Sequence, residues 1–309
     1  MASNSGLADL PTPGGHVLVA IVGDGFDKLT VTEAGSMFDS NFGMVASHAK
    51  GTPGDAEGGN WHGEMCAYDV SIGARNASIT DIRISTAADG ALSDALEAYG
   101  FLLNKLTEPG SALKQKYQAL VVSNSWTASD NDSSLPPGTV PYFSDPTHPF
   151  TLAVKELVRE GADVVFSAGN RGCSAAPGTV VIGGANSLPE VITVAAIDAG
   201  KSVLPISSQG PGKFVQDKPD VSSYGNFIGS DDRVADTGTS AAAAVTAGII
   251  AAMRSQSGWA AWGPTSKKPA DLKTALTSNA DKQVFRGGAQ VVLTGWAPDF
   301  GFGIARFHE

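Results

Sequence analysis

Cysteine occurs only twice in the 309 residues, as Cys66 and Cys173. Two thiols cannot build a disulfide scaffold or a cysteine metal centre, so a buried apolar core must hold the fold. Cations are also scarce: 21 Lys and Arg stand against 31 Asp and Glu, a net charge of −10. Without a basic tract, that balance excludes a protein that tracks the phosphate backbone, and no nucleic-acid partner is expected. Long apolar runs are missing too, so no segment is expected to span a bilayer and no membrane partner is predicted. Residues 1–13 are small and polar, with no apolar core of a signal peptide. The expectation is a cytoplasmic protein, or a domain processed or excised from a longer precursor.

Glycine is plentiful, at 37 residues, and hydrophobic residues make up 42%. That composition suits a loop-rich globular chain with a sizeable core. The reading is a flexible segment over 1–15 followed by one domain over 16–309. Its oligomeric state is left open.

Val17-Leu18-Val19-Ala20-Ile21-Val22 is a continuous apolar run of strand length, stopped by Gly23-Asp24-Gly25. Buried parallel strands read this way. Strands are also predicted at 79–84, 119–122, 164–166, 180–182 and 191–194, and helices at 63–71, 92–106 and 150–160. Residues 35–60 read as loop. Strands alternating with helices imply an α/β fold: a parallel central sheet with helices on both faces. Ligands of such sheets gather beyond the carboxyl ends of the strands. Asp24, Ser125, Trp126 and Asn170 each follow a predicted strand, so they should share one edge.

The segment Asp236-Thr237-Gly238-Thr239-Ser240-Ala241-Ala242-Ala243-Ala244 opens a helix that is apolar all round, which marks it as buried. Ser240 sits at its mouth, where N–H groups are unpaired and the dipole favours negative charge. A serine there is a helix cap, and becomes a nucleophile only if a base, an orienting acid and oxyanion donors join it. Of five histidines, His62 alone opens a predicted helix with glycine behind it.

His62-Gly63 at a helix start, Ser167-Ala168-Gly169-Asn170 after a strand and Gly238-Thr239-Ser240-Ala241-Ala242-Ala243 follow one another in the order of the subtilisin-like serine proteases. Ser123-Asn124-Ser125-Trp126, Lys218-Pro219-Asp220-Val221 and Gly301-Phe302-Gly303 fit the same pattern. The chain resembles that family from about Val17 to Phe307, with Cys66 and Ser125-Trp126 closest to its kexin-like branch. The resemblance implies a three-layer subtilisin-like fold and a serine endopeptidase. Ser240 would be nucleophile, His62 general base and Asn170 oxyanion donor. Ser125, Trp126, Thr127, Ser167, Ala168 and Gly169 would line the substrate pocket, with a peptide or protein as partner. No cofactor or catalytic metal is implied. The family often binds calcium through loop oxygens, and no site for it is assigned here.

The acid is less direct. Alignment puts Gly23 where the family has its catalytic aspartate, and a one-residue shift turns a strand side chain to the other face. Asp24 could be aimed back by a bulge at the strand end. Asp27, or no carboxylate at all, are the alternatives. Glu64, in place of the usual threonine, is expected to face solvent. Ala244 replaces a usual proline. Cys66 and Cys173 read as small buried side chains, with a disulfide or redox-sensitive thiol as alternative. Asp130, Asp132, Asp145, Asp217, Asp220, Asp231 and Asp232 read as solvated surface. The resemblance suggests that those after Ser125-Trp126 select a basic residue before the cut. A peptide cyclase or transpeptidase of the same fold, and a pseudoprotease that only binds peptides, are the competing functions.

Overall fold

Strand Val17–Gly23 (β1) is buried at every position before its last, which only the middle of a covered sheet provides. The computed structural model describes residues 15–55, 61–86, 89–128, 138–172, 174–176, 179–230 and 234–307. After β1 come α1 (Lys28–Glu33), β2 (Met37–Phe38), β3 (Met44–Val45), α2 (Trp61–Gly73), β4 (Ser78–Arg83) and a small hairpin of β5 (Ser85–Thr86) and β6 (Asp89–Gly90). The chain continues through α3 (Leu92–Thr107), α4 (Ala112–Lys116), β7 (Ala119–Asn124), α5 (Pro149–Arg159), β8 (Asp163–Ser167) and β9 (Ile192–Ile197). Last are β10 (Val221–Tyr224), β11 (Asn226–Phe227), β12 (Asp236–Thr237), α6 (Gly238–Ser255), α7 (Pro269–Asn279), β13 (Gln283–Arg286) and β14 (Ala289–Val292).

The main sheet runs β10-β9-β8-β7-β1-β4-β2, with β3 also on β4, and its pairings are parallel. Strand order reverses at β1, which lies between β4 and β7. Side-chain alternation divides the core. Val17, Val19 and Ile21 face a cluster with residues of α2 and α6, while Leu18, Ala20 and Val22 face one with residues of α3 and α5. Each valine, leucine and isoleucine among them contributes about 1.5–3 kcal/mol of burial.

The predicted α/β arrangement is observed, with local differences. The segment 35–60 contains β2 and β3, too short to show a period. Residues 180–182 form no strand; Ile182 makes one isolated bridge to Gly212. The helix after His62 starts earlier, at Trp61. Asp220 is buried rather than solvated, held by Lys218 at 2.6 Å and Lys273 at 2.6 Å. Among the described residues no helix is long and apolar enough to cross a membrane.

Helix α6 is buried from Gly238 to Arg254 and runs unbroken through Ala244. At its far end Arg254 pairs with Asp163 through two bonds of 2.6 and 2.8 Å, and neither residue's side chain is exposed. Midway it meets α2 backbone to backbone. A Cβ added at Gly248 would lie 2.3 Å from the Val70 carbonyl oxygen, and one at Gly73 would lie 2.5 Å from the Ile249 nitrogen. Neither backbone atom can swing aside as a flexible side chain would. Gly248→Val should therefore destabilise the fold by roughly 1–3 kcal/mol, read as a lower urea midpoint.

Candidate active site

The carboxyl ends of β1, β7 and β8 meet the start of α2 and the start of α6. At β1 the register with β4 continues unbroken to Gly23. No bulge re-aims the strand, contrary to the sequence-based expectation. Instead β1 ends, and Gly25, at φ +88°, turns the chain so that Asp24 faces α2. Gly25 must lack a side chain for a second reason, since a Cβ there would lie 2.1 Å from Arg83 Nε.

Asp24 Oδ1 lies 3.2 Å from His62 Nδ1. Gly63 permits this approach: a Cβ on it would lie 1.9 Å from the Gly25 carbonyl oxygen. Asp27 is committed elsewhere, accepting the Leu29 N–H at 2.8 Å as the cap of α1. Glu64 does not simply face solvent. Its carboxylate accepts the Asp27 N–H at 2.8 Å and the Thr30 hydroxyl, tying α2 to the loop after Asp24. Burial raises the Glu64 pKa, and these two bonds oppose the shift.

Ser240 is buried in the first turn of α6. Its hydroxyl donates to the Ser125 carbonyl at 3.1 Å, and the Ser125 hydroxyl donates to the Ser240 carbonyl at 3.0 Å. This reciprocal pair fixes the end of β7 to the helix start. In this state the Ser240 hydroxyl points to Ser125 rather than to His62. The other ring nitrogen, His62 Nε2, lies 3.9 Å from Cys66 Sγ. Cys66 is buried and its thiol is free; Cys173 lies outside the described residues.

Asn170 follows β8 with its side-chain carbonyl fully engaged. It accepts the Thr239 N–H at 3.0 Å and the Thr239 hydroxyl at 2.9 Å. Those two bonds fix the orientation of its amide group. Gly238, at φ +82°, leaves room for it: a Cβ there would lie 2.9 Å from Asn170 Nδ2. The Gly238 N–H is taken by the Gly225 carbonyl. The Ser240 N–H meets no acceptor among the described residues, as first-turn donors often do not.

The predicted pocket segments also converge. Thr127 and Gly169 are close enough that a Cβ on Gly169 would lie 3.2 Å from the Thr127 methyl. Asn186 joins the two walls, donating to the Ser167 carbonyl at 2.9 Å and the Trp126 carbonyl at 3.3 Å. Sequence reasoning missed Asn186, which carries no local pattern, and did not assign these bonds to Thr239 and the Ser125 hydroxyl, although both stand in the quoted motifs. The Trp126 ring packs on Phe150 and Phe166 at 5.6 and 5.7 Å, a core role beside its place in the wall. Asp130 and Asp132 lie outside the described residues. The Asp145 carboxylate accepts the N–H and hydroxyl of Thr147 at 2.8 and 2.6 Å, bonds that lower its pKa. Among the described residues no cluster of three or more His, Cys, Asp and Glu could hold a metal ion.

The His62 pKa is raised above its ordinary 6.5, first by charge on the Cys66 sulfur, with burial opposing and Asp24 adding to the rise. An imidazole acts as a base only when unprotonated, so a higher pKa moves the acid limb of reactivity upward. We expect that limb above 6.5, and lower in Cys66→Ala, measured as the pH dependence of Ser240 modification by a fluorophosphonate.

Comparison with known proteins bears on the fold and the family. A solved protease described as a psychrophilic protease, S41, superposes with a TM-score of 0.68 at 19% identity, covering 97% of this chain and 95% of that one. Sphericase gives 0.67 at 18% identity, with coverage of 97% and 95%. A lanthipeptide protease gives 0.64 at 18% identity, with coverage of 95% and 86%. Identities this low establish a shared subtilisin-like fold. The profile of the subtilase family, in contrast, matches residues 14–303 directly, and the chain belongs to that family.

Proposed function

We propose that this subtilase is a serine endopeptidase that cleaves peptide bonds through an acyl-enzyme on Ser240. The observation that carries the reading is the 3.2 Å contact of Asp24 with His62 Nδ1, at the same sheet edge as Asn170, which is bonded to Thr239 beside Ser240. Asp24 fixes the ring tautomer and stabilises the imidazolium, which leaves Nε2 as the base. Rotation of the Ser240 hydroxyl off the Ser125 carbonyl offers its proton to Nε2 as Oγ attacks the substrate carbonyl. The resulting oxyanion takes donors from Asn170 Nδ2 and the Ser240 N–H, in a site already poised for negative charge. Collapse breaks the C–N bond, and the proton on Nε2 passes to the leaving amine. Water then repeats the sequence and frees Ser240.

The substrate backbone would lie along the Ser125–Thr127 segment as an added strand, with the preceding side chain between that wall and Ser167–Gly169. The basic-residue preference has weak support, because Asp145 is turned onto its own loop.

A fluorophosphonate should label Ser240 in the unmodified protein and fail to label His62→Ala; absence of labelling in both would leave a peptide-binding module. Product masses on an amine-bearing peptide should show hydrolysis, whereas a ligated product would mark a transpeptidase. Asp24→Asn should lower turnover about 10⁴-fold with the fold intact. Asn170→Ala should lower it about 10²–10³-fold, with each loss read as kcat on a peptide substrate.

A further inference from the structure

Two carboxyl groups outside the triad lie buried against each other between α2 and β12. Asp69 is fully buried, and among the described residues neither of its oxygens meets a hydrogen-bond donor. The side chain it meets is Asp236, also fully buried. Asp236 is already supplied with donors: Oδ2 accepts the Ser230 N–H and Oδ1 accepts the Ser230 hydroxyl, both at 2.6 Å. Two adjacent buried carboxylates repel too strongly for both to stay ionised. A proton shared between them supplies the donor that Asp69 does not find among the described residues.

Their positions relate to the chemistry. Asp69 is on the helix that carries His62, on the side of Cys66, and Asp236 is on the strand that leads into Ser240. We propose that Asp69 and Asp236 share one proton, and that this hydrogen bond is a positioning device that holds the His62 helix to the Ser240 segment. The positioning role rests on the serine-protease reading; the shared proton does not.

Among the described residues the charges on the elements packed against α2 are engaged or exposed elsewhere. Burial, then Asp236 and Cys66, raise the Asp69 pKa well above its usual range. Of the elements packed on α2, α1 has its charged Lys28 and Glu33 exposed to solvent, and β1 is apolar. The charge on α6, Arg254, is committed to Asp163. Glu64, further up α2, is bound to Asp27 and Thr30. Asp231, Asp232 and Arg233, which follow Ser230, lie outside the described residues.

The sign of the pH dependence follows. Asp69 keeps in the folded chain a proton that it loses on unfolding at ordinary acidic pKa. Stability is therefore fullest at low pH and falls as pH rises towards the folded pKa, by up to about tenfold in the folding constant per pH unit.

The direct test is the infrared carbonyl band of a protonated carboxylic acid, recorded on the whole chain at about pH 8. There Asp81, pushed up to about 6, has ionised. The band should be present in the unmodified protein and lost in Asp69→Asn, whose amide still donates to Asp236. Its absence in the unmodified protein, its persistence in Asp69→Asn, or its appearance only after chelation of a bound cation would each overturn the shared proton. Should Asp69→Asn fail to fold, the band and the pH slope of unmodified-protein unfolding still decide the matter. For the positioning role, fluorophosphonate labelling of Ser240 should slow above the pH at which the band disappears, and should not slow there in Asp69→Asn. Labelling that ignores the loss of the band would overturn that role. If the unmodified protein never labels, the serine-protease reading fails, while the band still tests the pair.

Discussion

The close crossing of α2 and α6 is the constraint on which the site depends. Gly73 and Gly248 let the two backbones touch, and the alanines from Ala241 to Ala244 are wholly buried. Larger side chains would push the helices apart at the distances usual for packed helices. One helix carries His62 and the other carries Ser240 in its first turn, so any separation is transmitted to both residues. The apolar helix thus does more than fill the core: it sets how near His62 and Ser240 can come.

Around that crossing the loops are held by polar side chains that start from buried positions. Arg83 reaches past Gly25 to the Lys50 carbonyl at 2.8 Å and to Asp81 at 3.0 Å, and Asp81 accepts the Gly54 N–H at 3.0 Å. Asp24 therefore sits on a turn backed by a buried ion pair. Thr239 orients Asn170 in the same manner, and Asn186 links the two walls of the pocket. These supports fix the geometry around Asp24 and Asn170, the pre-organisation that the proposed chemistry requires.

Much of the architecture is legible in the pattern of residues. The run from Val17 to Val22 reads as a strand covered on both faces, and the spacing of Leu92, Ala95, Leu96, Tyr99, Leu102, Leu103 and Leu106 reads as an amphipathic helix, though Leu96 is exposed. Short pieces were not legible. The two-residue strands β2 and β3 owe their form to the free edge of β4, and Ile182 bridges Gly212 rather than extending a strand. Neither outcome is encoded in local periodicity. Asp220 reads as an ordinary acid in a polar loop, yet Lys218 and Lys273 enclose it; only folding brings Lys273 near.

The sequence by itself determined the class of fold, the order of the motifs and the identity of the residues that could do chemistry. Those properties follow from side-chain type and short-range spacing. The choice among acids was made by tertiary structure. Asp27 differs from Asp24 in sequence by little, but α1 claims its carboxylate as a cap, while the turn at Gly25 and the bare face of Gly63 bring Asp24 to His62. The meeting of Asp69 with Asp236 was likewise hidden, because their distance in sequence carries no hint of contact. Long-range proximity is a property of how α2 and α6 pack, and no stretch of the chain states it alone.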